Sequence, residues 1–413
     1  MTGTRPRASR TYRVPDSAPA ILTMNGGSSS LRFAVYEAQN APRLRLAGKI
    51  DRIGLSGTTL TINDAAENRQ TSQRVRATDH RAVTRILMDW LEAQPAFASV
   101  AAVGHRVVHG MRHSEPQRVT PKLVAELRRA TPYDPDHLRR EVGLITAIAK
   151  RHPALPQVVC FDSAFHRTMP RVAKLLPLPR RYAAKGIERY GFHGLSYAYL
   201  MEELERVDPT AAAGRVILAH LGNGASLAAV REGRSVDTSM GFTPASGLMM
   251  GTRTGDIDPG IAYHLARTER MSAAQFQRMV THESGLLGVS GTGSDLRDLL
   301  AREAHDARAA EAVALFCYQA KKWIGAFAAV LGGVDTLIFA GGIGEHAPLI
   351  RARICDGLGF LGVQLYEKAN DANAAVVSPA AGRVTVRVIR TDEDLMIARS
   401  VTRVLGFGQH SGT

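Results

Sequence analysis

Two stretches of the sequence repeat one pattern 196 residues apart: Ile21-Leu-Thr-Met-Asn-Gly-Gly-Ser-Ser-Ser-Leu31 and Ile217-Leu-Ala-His-Leu-Gly-Asn-Gly-Ala-Ser-Leu227. Each stretch consists of an apolar run, a turn rich in Gly, Ser and Asn, and the start of a second apolar run. This is the pattern of a β-hairpin. A hairpin that occurs twice in a chain of 413 residues predicts two similar halves.

The turn of each hairpin is suited to binding an anion. Glycine tolerates positive φ and small hydroxyl side chains leave room, so backbone N–H groups can point toward a phosphate. A single turn of this composition is more often only a turn. Because one copy occurs in each half, the pair favours two turns that bind a polyphosphate from opposite sides.

Helical periodicity alternates with short β-rich runs in the rest of the chain. This alternation predicts an α/β fold with mixed sheets, and the duplication predicts two lobes that face a central cleft. The predicted elements are helices over 81–92, 121–129 and 310–331, strands over 100–108, 158–161 and 336–340, and a glycine-rich turn over 341–344.

The repeat also predicts how the chain is divided. We expect an N-terminal lobe over 19–212 with the first hairpin, and a C-terminal lobe over 213–390 with the second hairpin. The segment 391–413 is expected to pack back on the N-terminal lobe. Residues 1–18 are arginine-rich and lack the apolar region of a secretory signal. We interpret them as a flexible basic tail, with a transit peptide as the alternative.

The composition is that of a globular protein with excess positive charge. The chain has 45% hydrophobic and 22% charged residues and a formal net charge of +14. Such charge suits a cleft for phosphates and a carboxylate, and it also suits nucleic acid. Because no run of Lys and Arg is interleaved with aromatic residues, we favour anionic small molecules over nucleic acid.

Cysteine usage and hydropathy indicate a cytoplasmic protein without membrane spans. Cys160, Cys317 and Cys355 are odd in number and far apart, which fits neither a disulfide framework nor a metal site. The longest apolar stretch, 324–334, is too short to cross a bilayer.

No segment matches the P-loop or the full dinucleotide fingerprint, so phosphate binding is assigned to the hairpins. His105 and His109 lie on a predicted strand, where their spacing of about 13 Å is too long for one zinc ion. Arg106 lies between apolar residues of the same strand. A partly buried arginine needs an anionic partner, which is either a ligand or an internal carboxylate.

Three further positions combine reactive residue types with loop placement. Asp162 and His166 follow a predicted strand end, where α/β folds commonly meet their ligands. His193 lies between aromatic and glycine residues, although either histidine alone is more often structural. Arg253 shares one turn with two carboxylates, which suits phosphate recognition, magnesium binding or internal salt bridges.

Together these segments resemble the acetate kinase family, within the sugar kinase, Hsp70 and actin superfamily. The resemblance covers 21–406 and implies the duplicated, ribonuclease H-like, two-lobed fold of that superfamily. It is carried by Asn25-Gly-Gly-Ser-Ser-Ser-Leu31, Gly104-His-Arg-Val-Val-His-Gly110, Phe161-Asp-Ser-Ala-Phe-His166, Tyr190-Gly-Phe-His-Gly194, His220-Leu-Gly-Asn-Gly224, Met240-Gly-Phe-Thr-Pro244 and Gly251-Thr-Arg-Thr-Gly-Asp-Ile-Asp-Pro259.

The resemblance implies reversible, in-line transfer of the ATP γ-phosphoryl group to acetate, in a homodimer. Arg106 and Arg253 would bind the substrate and flank the transferred group, where positive charge stabilises the transition state. Magnesium or manganese would be held near Asn25 and Glu393. The implied catalytic residues are Arg106, Asp162, His193 and Arg253. The implied nucleotide-binding residues are Ser30 and Arg32 in the first hairpin, His220, Asn223 and Gly224 against the phosphates, and Asp295, Arg297, Gly342, Ile343, Gly344 and His346 around the adenosine.

The sequence departs from the family pattern at several positions. The smaller departures are Arg32 for a lysine, His346 for an asparagine and Tyr197 for a histidine. A larger one is Ala130-Thr-Pro-Tyr-Asp-Pro135, which replaces Ala-Pro-Leu-His-Asn-Pro and puts Tyr133 in place of a histidine that helps to receive the phosphoryl group. Asp134 adds negative charge there, and His137 is a candidate to compensate.

Three alternative functions stay open at this point. The first is a propionate or butyrate kinase on the same fold, because the departure at Tyr133 affects the acceptor side. The second is a non-enzymatic, ATP-driven protein of the actin or chaperone type, which would not need Arg106 and Arg253 in its cleft. The third is a basic nucleic-acid binder, which would show tight and salt-sensitive DNA binding without its tail.

Overall fold

The computed structural model describes residues 18–27, 30–53, 57–65, 67–77 and 79–407. Nearly all of the predicted basic tail and the end of the C-terminal segment therefore lie outside the described residues. Ser28 and Ser29, in the turn of the first hairpin, lie outside them as well.

The strands form two mixed sheets, one in each half of the chain. In chain order they are β1 (Ala20–Gly26), β2 (Leu31–Glu37), β3 (Arg43–Asp51), β4 (Thr59–Asp64), β5 (Arg69–Arg74), β6 (Val100–Val107), β7 (Gln117–Arg118), β8 (Gln157–Phe161), β9 (Arg215–Leu221), β10 (Ala225–Arg231), β11 (Arg234–Thr238), β12 (Thr336–Ala340) and β13 (Thr385–Val388). The first sheet has the order β5-β4-β3-β2-β1-β6-β8-β7, and the second β11-β10-β9-β12-β13.

The described helices are distributed over both halves of the chain. They are α1 (His80–Glu92), α2 (Pro121–Ala130), α3 (Leu138–Arg151), α4 (Arg171–Lys174), α5 (Arg180–Ala183), α6 (Gly194–Val207), α7 (Pro209–Ala213), α8 (Gly260–Thr268), α9 (Ala273–His282), α10 (Gly285–Ser290), α11 (Leu296–Arg302), α12 (Ala307–Leu331), α13 (Gly341–His346), α14 (Pro348–Cys355), α15 (Glu367–Asp371) and α16 (Glu393–Leu405). None of these helices combines the length and apolar character needed to cross a membrane.

Five neighbouring strands of the first sheet, β3-β2-β1-β6-β8, repeat the topology of the whole second sheet, which confirms the predicted duplication. β1 pairs antiparallel with β2 and parallel with β6, and β6 pairs parallel with β8. In the second sheet β9 pairs antiparallel with β10 and parallel with β12, and β12 pairs parallel with β13. The predicted helices over 81–92, 121–129 and 310–331 correspond to α1, α2 and α12, each within a few residues of its predicted bounds.

The predicted turn over 341–344 is wrong, because these residues begin the short helix α13 directly after β12. Gly341 has φ +77°, and a Cβ at this position would lie 2.6 Å from the carbonyl oxygen of Leu221. The backbone N–H of Gly341 donates to the carboxylate of Glu345 at 2.8 Å, which caps the first helical turn. Gly341 therefore serves close packing of the helix on β9.

The C-terminal helix α16 packs against the first sheet, although in the chain it follows β13 of the second sheet. It packs on β1, β2, β6 and β8. Its side chains Ile397 and Val401 lie directly over Gly104, where a Cβ would be 2.4 Å from the Ile397 Cγ2 atom. This packing brings the start of α16, with its acidic residues, to the end of β1.

Candidate active site

The carboxyl ends of β1, β6 and β8 meet at one edge of the first sheet. Arg106, near the end of β6, donates from Nη1 to the carbonyl of Gly26 at 2.9 Å and from Nη2 to Asp162 Oδ2 at 2.8 Å. Gly26 ends β1, and Asp162 directly follows β8. Because parallel strands end at the same edge of a sheet, residues far apart in sequence converge there.

Asp162 joins this edge to the start of α6. Its side chain is completely buried and accepts a hydrogen bond from the backbone N–H of His193 at 3.1 Å, in addition to the one from Arg106. Its carbonyl oxygen accepts from the N–H of Gly194 at 2.7 Å. A Cβ on Gly194 would lie 2.2 Å from that oxygen, so only glycine allows this contact. Asp162 therefore orients both Arg106 and the turn that carries His193.

His193 lies where the two lobes meet. Its backbone is left-handed, with φ 60°, and its ring stacks on His220 of β9 with centroids 4.3 Å apart. A Cβ on Gly224, in the turn of the second hairpin, would lie 3.3 Å from His193 Nε2 and 3.7 Å from Arg253 Nη1. The imidazole and the guanidinium therefore face the same small volume above Gly224.

Arg253 reaches this volume from the C-terminal lobe. Its Nη1 donates to the carbonyl of Pro244 at 2.9 Å. Among the described residues no carboxylate lies within ion-pair distance of it, because Asp256 and Asp258 instead accept backbone hydrogen bonds within their own loop. Burial lowers the pKa of Arg253, and the charge of Arg106 adds to this while Asp134 opposes it. The guanidinium is thus available to an anion.

The charges of the site favour a negatively charged ligand. Burial alone would lower the pKa of Arg106, but Asp162, Glu393 and Glu141 outweigh it and hold that pKa above its usual range. Burial, followed by the neighbouring His220 and the two arginines, lowers the pKa of His193 well below its usual value. At neutral pH the site therefore presents two cations and a neutral imidazole.

The residues predicted to bind nucleotide phosphates lie at the two hairpin turns. His220 bonds through Nδ1 to Ser196 Oγ at 2.8 Å, and the carbonyl of Asn223 accepts from the N–H of Gly251 at 3.0 Å. The carbonyl of Ser30 accepts from Gly27 at 2.7 Å and closes the first turn. Arg32 is exposed on β2.

The residues predicted to bind adenosine belong to two separate helices. Gly342, Ile343, Gly344 and His346 form most of α13, which packs on β9 and β12. Asp295 and Arg297 pair with each other at 2.5 Å at the start of α11, which packs on α12. The first group adjoins the second hairpin, because α13 packs on β9.

The residues predicted to hold a metal ion lie next to each other. Asn25 Nδ2 donates to Glu393 Oε2 at 2.7 Å, and Thr23 donates to Asp394 at 3.1 Å. Burial, helped by Glu393, raises the pKa of Asp394 to about 7. In the described part of the chain no group of three or more His, Cys, Asp or Glu side chains is arranged for a metal. A sparse set of oxygen ligands fits magnesium, which keeps waters and substrate phosphates as its other ligands.

Comparison with known proteins identifies the family of the chain. Residues 20–399 match the profile of the Acetokinase family. The chain belongs to the acetokinase family. It is 43% identical over 396 residues to an acetate kinase of Rhodopseudomonas palustris, with 94% of the chain and 99% of that protein covered. It is 42% identical over 391 residues to a propionate kinase of Citrobacter rodentium, with 93% and 96% covered.

Two solved structures of this family superpose on almost the whole chain. The Porphyromonas gingivalis acetate kinase gives a TM-score of 0.83 at 34% identity and covers 94% of this chain and 100% of its own. A propionate kinase from Francisella tularensis gives 0.86 at 32% identity, with 92% and 98% covered. The two-lobed α/β acetate kinase fold is therefore that of this chain.

The segment that departs from the family pattern adjoins the candidate site. The Tyr133 hydroxyl donates to the carbonyl of Lys185 at 3.2 Å, and its ring contacts His109 and Phe242. The Asp134 carboxylate accepts from both the backbone and the ring Nδ1–H of His137, at 3.1 and 2.9 Å. Although burial opposes it, this contact holds the pKa of Asp134 below its usual range. A cavity of about 50 Å³ beside Arg253 is lined by Tyr133, Asp134 and His137, among others.

Two of the histidines singled out in the sequence have structural partners. His166 is buried and bonds to Ser235 Oγ at 2.8 Å and to the carbonyl of Phe192 at 3.1 Å. His105 donates from Nε2 to Gln157 at 2.6 Å. The predicted strand over 100–108 ends at Val107, so His109 lies in the loop after the strand rather than on it.

Several residues that contact the site were not found from the sequence. Glu141 of α3 is buried, accepts from the N–H of Val108 at 3.0 Å and lies 3.8 Å from Arg106 Nη1. Ser196 and Ser226 hold the two stacked histidines. Only Glu141 had a local sequence signal, since it is an acidic residue among the apolar positions of α3. Serines in a helix or a strand form no sequence pattern of their own.

Proposed function

We propose that the chain is an acetate kinase, which transfers the γ-phosphoryl group of ATP reversibly to acetate and yields acetyl phosphate and ADP. The observation that carries this proposal is that His193 Nε2 and Arg253 face one volume at Gly224, while Asp162 joins Arg106 to the turn that carries His193. An ATP-driven protein without phosphoryl transfer to a small acceptor would not need two buried arginines beside its phosphate turn.

The geometry supports direct in-line transfer. A carboxylate oxygen of acetate attacks the γ-phosphorus while the bond to the oxygen bridging the β- and γ-phosphorus breaks, and ADP leaves. Arg106 and Arg253 neutralise charge on the oxygens of the transferred group, and His193 donates a hydrogen bond from Nε2. Asp162 orients Arg106 and the His193 turn, because its Oδ2 atom accepts a hydrogen bond from each of them.

We assign the metal to Asn25 and Glu393. Bound there, magnesium or manganese would neutralise phosphate charge near the end of β1. The backbone and side chains of His220, Asn223 and Gly224, together with Ser30 and Arg32, would hold the phosphates of ATP. Adenosine would lie against the Gly342–Ile343–Gly344 backbone and His346, with Asp295 and Arg297 at its edge.

Propionate is the second candidate acceptor. A propionate kinase of Citrobacter rodentium is 42% identical to this chain, nearly as similar as the acetate kinases. The cavity beside Arg253 is lined by Tyr133, which stands where the family pattern has a histidine that helps to receive the phosphoryl group. Butyrate kinase activity on the same fold is the third possibility in this class.

The decisive test is a hydroxamate assay, which traps acyl phosphate, with ATP, magnesium and each of acetate, propionate and butyrate. We expect acyl phosphate from acetate and a smaller kcat/KM for the longer acids. A larger kcat/KM for propionate would reassign the acceptor. Absence of turnover with acetate would refute the proposal, and omission of the metal should abolish turnover.

We further propose that the chain forms a homodimer in a reducing cytoplasm. Helix α8 buries none of its residues, and Ile261 and Tyr263 are exposed on it at 40% and 70%. A helix without a buried face is unusual in a folded chain and fits coverage by a second copy. Cys160, Cys317 and Cys355 are all free and buried, which suits a reducing compartment. Light scattering at twice the chain mass would support the dimer, and a monomer mass would exclude it.

A further inference from the structure

Two imidazole rings face the cleft side by side, and each is held by a hydroxyl at the same ring atom. The rings of His193 and His220 stack at 27°, and their Nδ1 atoms bond to Ser226 Oγ and Ser196 Oγ, both at 2.8 Å. Because Nδ1 is occupied in both rings, Nε2 is left to face a ligand. The His193 Nε2 atom is the one that approaches Gly224.

The hydroxyl of Ser226 is shared with a second side chain. Tyr197 of α6 bonds through its hydroxyl to Ser226 Oγ, and both residues are completely buried. Within the described residues Ser226 is the one hydrogen-bond partner of that hydroxyl. The three groups therefore form a chain from Tyr197 through Ser226 to His193, closed to water at the tyrosine end.

The number of protons decides which group donates in each of these two hydrogen bonds. If Tyr197 donates to Ser226, then Ser226 donates to Nδ1 of His193, every hydroxyl proton has an acceptor, and the imidazole proton lies on Nε2. In the opposite direction His193 donates from Nδ1 and Ser226 donates to Tyr197, which leaves the tyrosine proton buried without an acceptor. An unmade buried hydrogen bond of this kind disfavours a state by roughly ten- to a hundredfold in population.

We propose that Tyr197 and Ser226 keep His193 in the Nε2–H tautomer, so that a neutral N–H donor faces the ligand volume above Gly224. Its use on the transferred phosphoryl group rests on the proposed function. Tyr197 is a positioning residue, since it touches Ser226 and not the ligand. A neutral donor is suited to this position, because Arg106 and Arg253 already supply positive charge and a third cation would be repelled.

Hydrogen-bonded hydroxyls form a second column that ends at His220, just as the first column, from Tyr197 through Ser226, ends at His193. Thr391 donates to Ser196 Oγ at 2.8 Å, and the Ser196 hydroxyl then faces Nδ1 of His220. The hydroxyls of this column therefore also donate toward the histidine, and the proton of His220 lies on Nε2. Because Ser196 and Tyr197 are consecutive residues of α6, one helix contributes to both columns.

The test is nitrogen NMR of the full-length protein labelled with ¹⁵N-histidine, with His193 assigned by the loss of its signals in His193→Gln. Two-bond correlations from the ring protons report directly which nitrogen carries hydrogen. We expect Nε2 protonated and Nδ1 bare, without change from pH 6 to 8. A proton on Nδ1, or a cationic ring at pH 7, would overturn the proposal.

Ser226→Ala removes the hydroxyl that donates to Nδ1 of His193. We expect partial population of the Nδ1–H form and a kcat lower by roughly two- to fivefold, with the KM for acetate unchanged. In Tyr197→Phe the Ser226 hydroxyl still has Nδ1 as its acceptor, so this variant should shift the tautomer less than Ser226→Ala does. Tyr199→Phe, two residues along the same helix, is the control and should change neither. If Ser226→Ala leaves Nε2–H fully populated, or Tyr197→Phe shifts it more, the proposed hydrogen-bond chain is wrong. A wild-type protein with the expected spectrum but no acyl phosphate would refute the proposed function alone.

Discussion

Replacing Arg253 with alanine should abolish most activity while the fold remains nearly as stable as before. The side chain donates to two neutral acceptors, the Pro244 carbonyl and Met250 Sδ, and makes no ion pair with a described carboxylate. The loss of these bonds, at about 1–3 kcal/mol, is offset by removal of a buried cation. We therefore expect a net change within about 1 kcal/mol, which lowers the melting temperature of a lobe of this size by roughly 2–4 °C.

The loss of activity should be much larger than the loss of stability. A positioned cation that stabilises charge in the transition state is worth about 10²–10³-fold in kcat, and more when it acts on a phosphoryl group. Arg253→Ala should therefore lower kcat at least 100-fold in the hydroxamate assay. The exposed Arg139 of α3 provides the control, and Arg139→Ala should leave kcat unchanged.

Arg106→Ala should behave differently, because its partner Asp162 is completely buried. Removing one member of a buried ion pair leaves an uncompensated charge and costs about 3–5 kcal/mol. Its melting temperature should fall by roughly 10 °C in addition to the loss of activity. Adding Asp162→Asn should restore part of the stability and none of the activity. Wild-type kcat in Arg253→Ala, or equal stability of the two alanine variants, would refute this reasoning.

Gly194→Ala forces a Cβ to 2.2 Å from the carbonyl oxygen of Asp162 and should cost about 1–3 kcal/mol by thermal unfolding, whereas Gly143→Ala, in open space on α3, should be neutral or stabilising. Burial raises the pKa of Glu141 to about 8, so the folded state binds a proton that the unfolded state has lost, and stability falls as pH rises from the usual glutamate range to about 8. Glu141→Gln should flatten that slope; an unchanged slope would show that another group causes it. Glu393→Gln should raise the magnesium concentration for half-maximal activity about tenfold or more, and an unchanged requirement would move the metal elsewhere.

Much of the fold could be predicted from local pattern. The two hairpins, the amphipathic helices α1 and α2 and the long apolar helix α12 each carry their periodicity within a single stretch of chain. The repeat at 196 residues predicted that the two halves share a topology, since like hairpins at like positions build like sheets. The same pattern did not predict α13, because Gly341 is required by contact with Leu221 of another strand and not by a turn.

The motif residues of the site were visible in the sequence, but their connections were not. Arg106, His193 and Arg253 stand in recognisable segments, whereas the bond of Asp162 to Arg106 and to the His193 turn depends on how β6 and β8 align. The Asn25 contact with Glu393 joins residues 368 positions apart and exists only because α16 packs on β1.

Three further properties could not be predicted from the sequence: the direction of the hydrogen bonds in the hydroxyl columns, the pKa of Glu141 and the neutral state of His193. Each depends on burial and on hydrogen-bond partners contributed by other elements, and these are properties of packing rather than of local order. A hairpin or an amphipathic helix has a periodic sequence pattern, so it can be predicted from one stretch of chain. The tautomer of His193 has no such pattern, because it is set by hydrogen bonds among Tyr197, Ser226 and His193, which meet only after both lobes have folded.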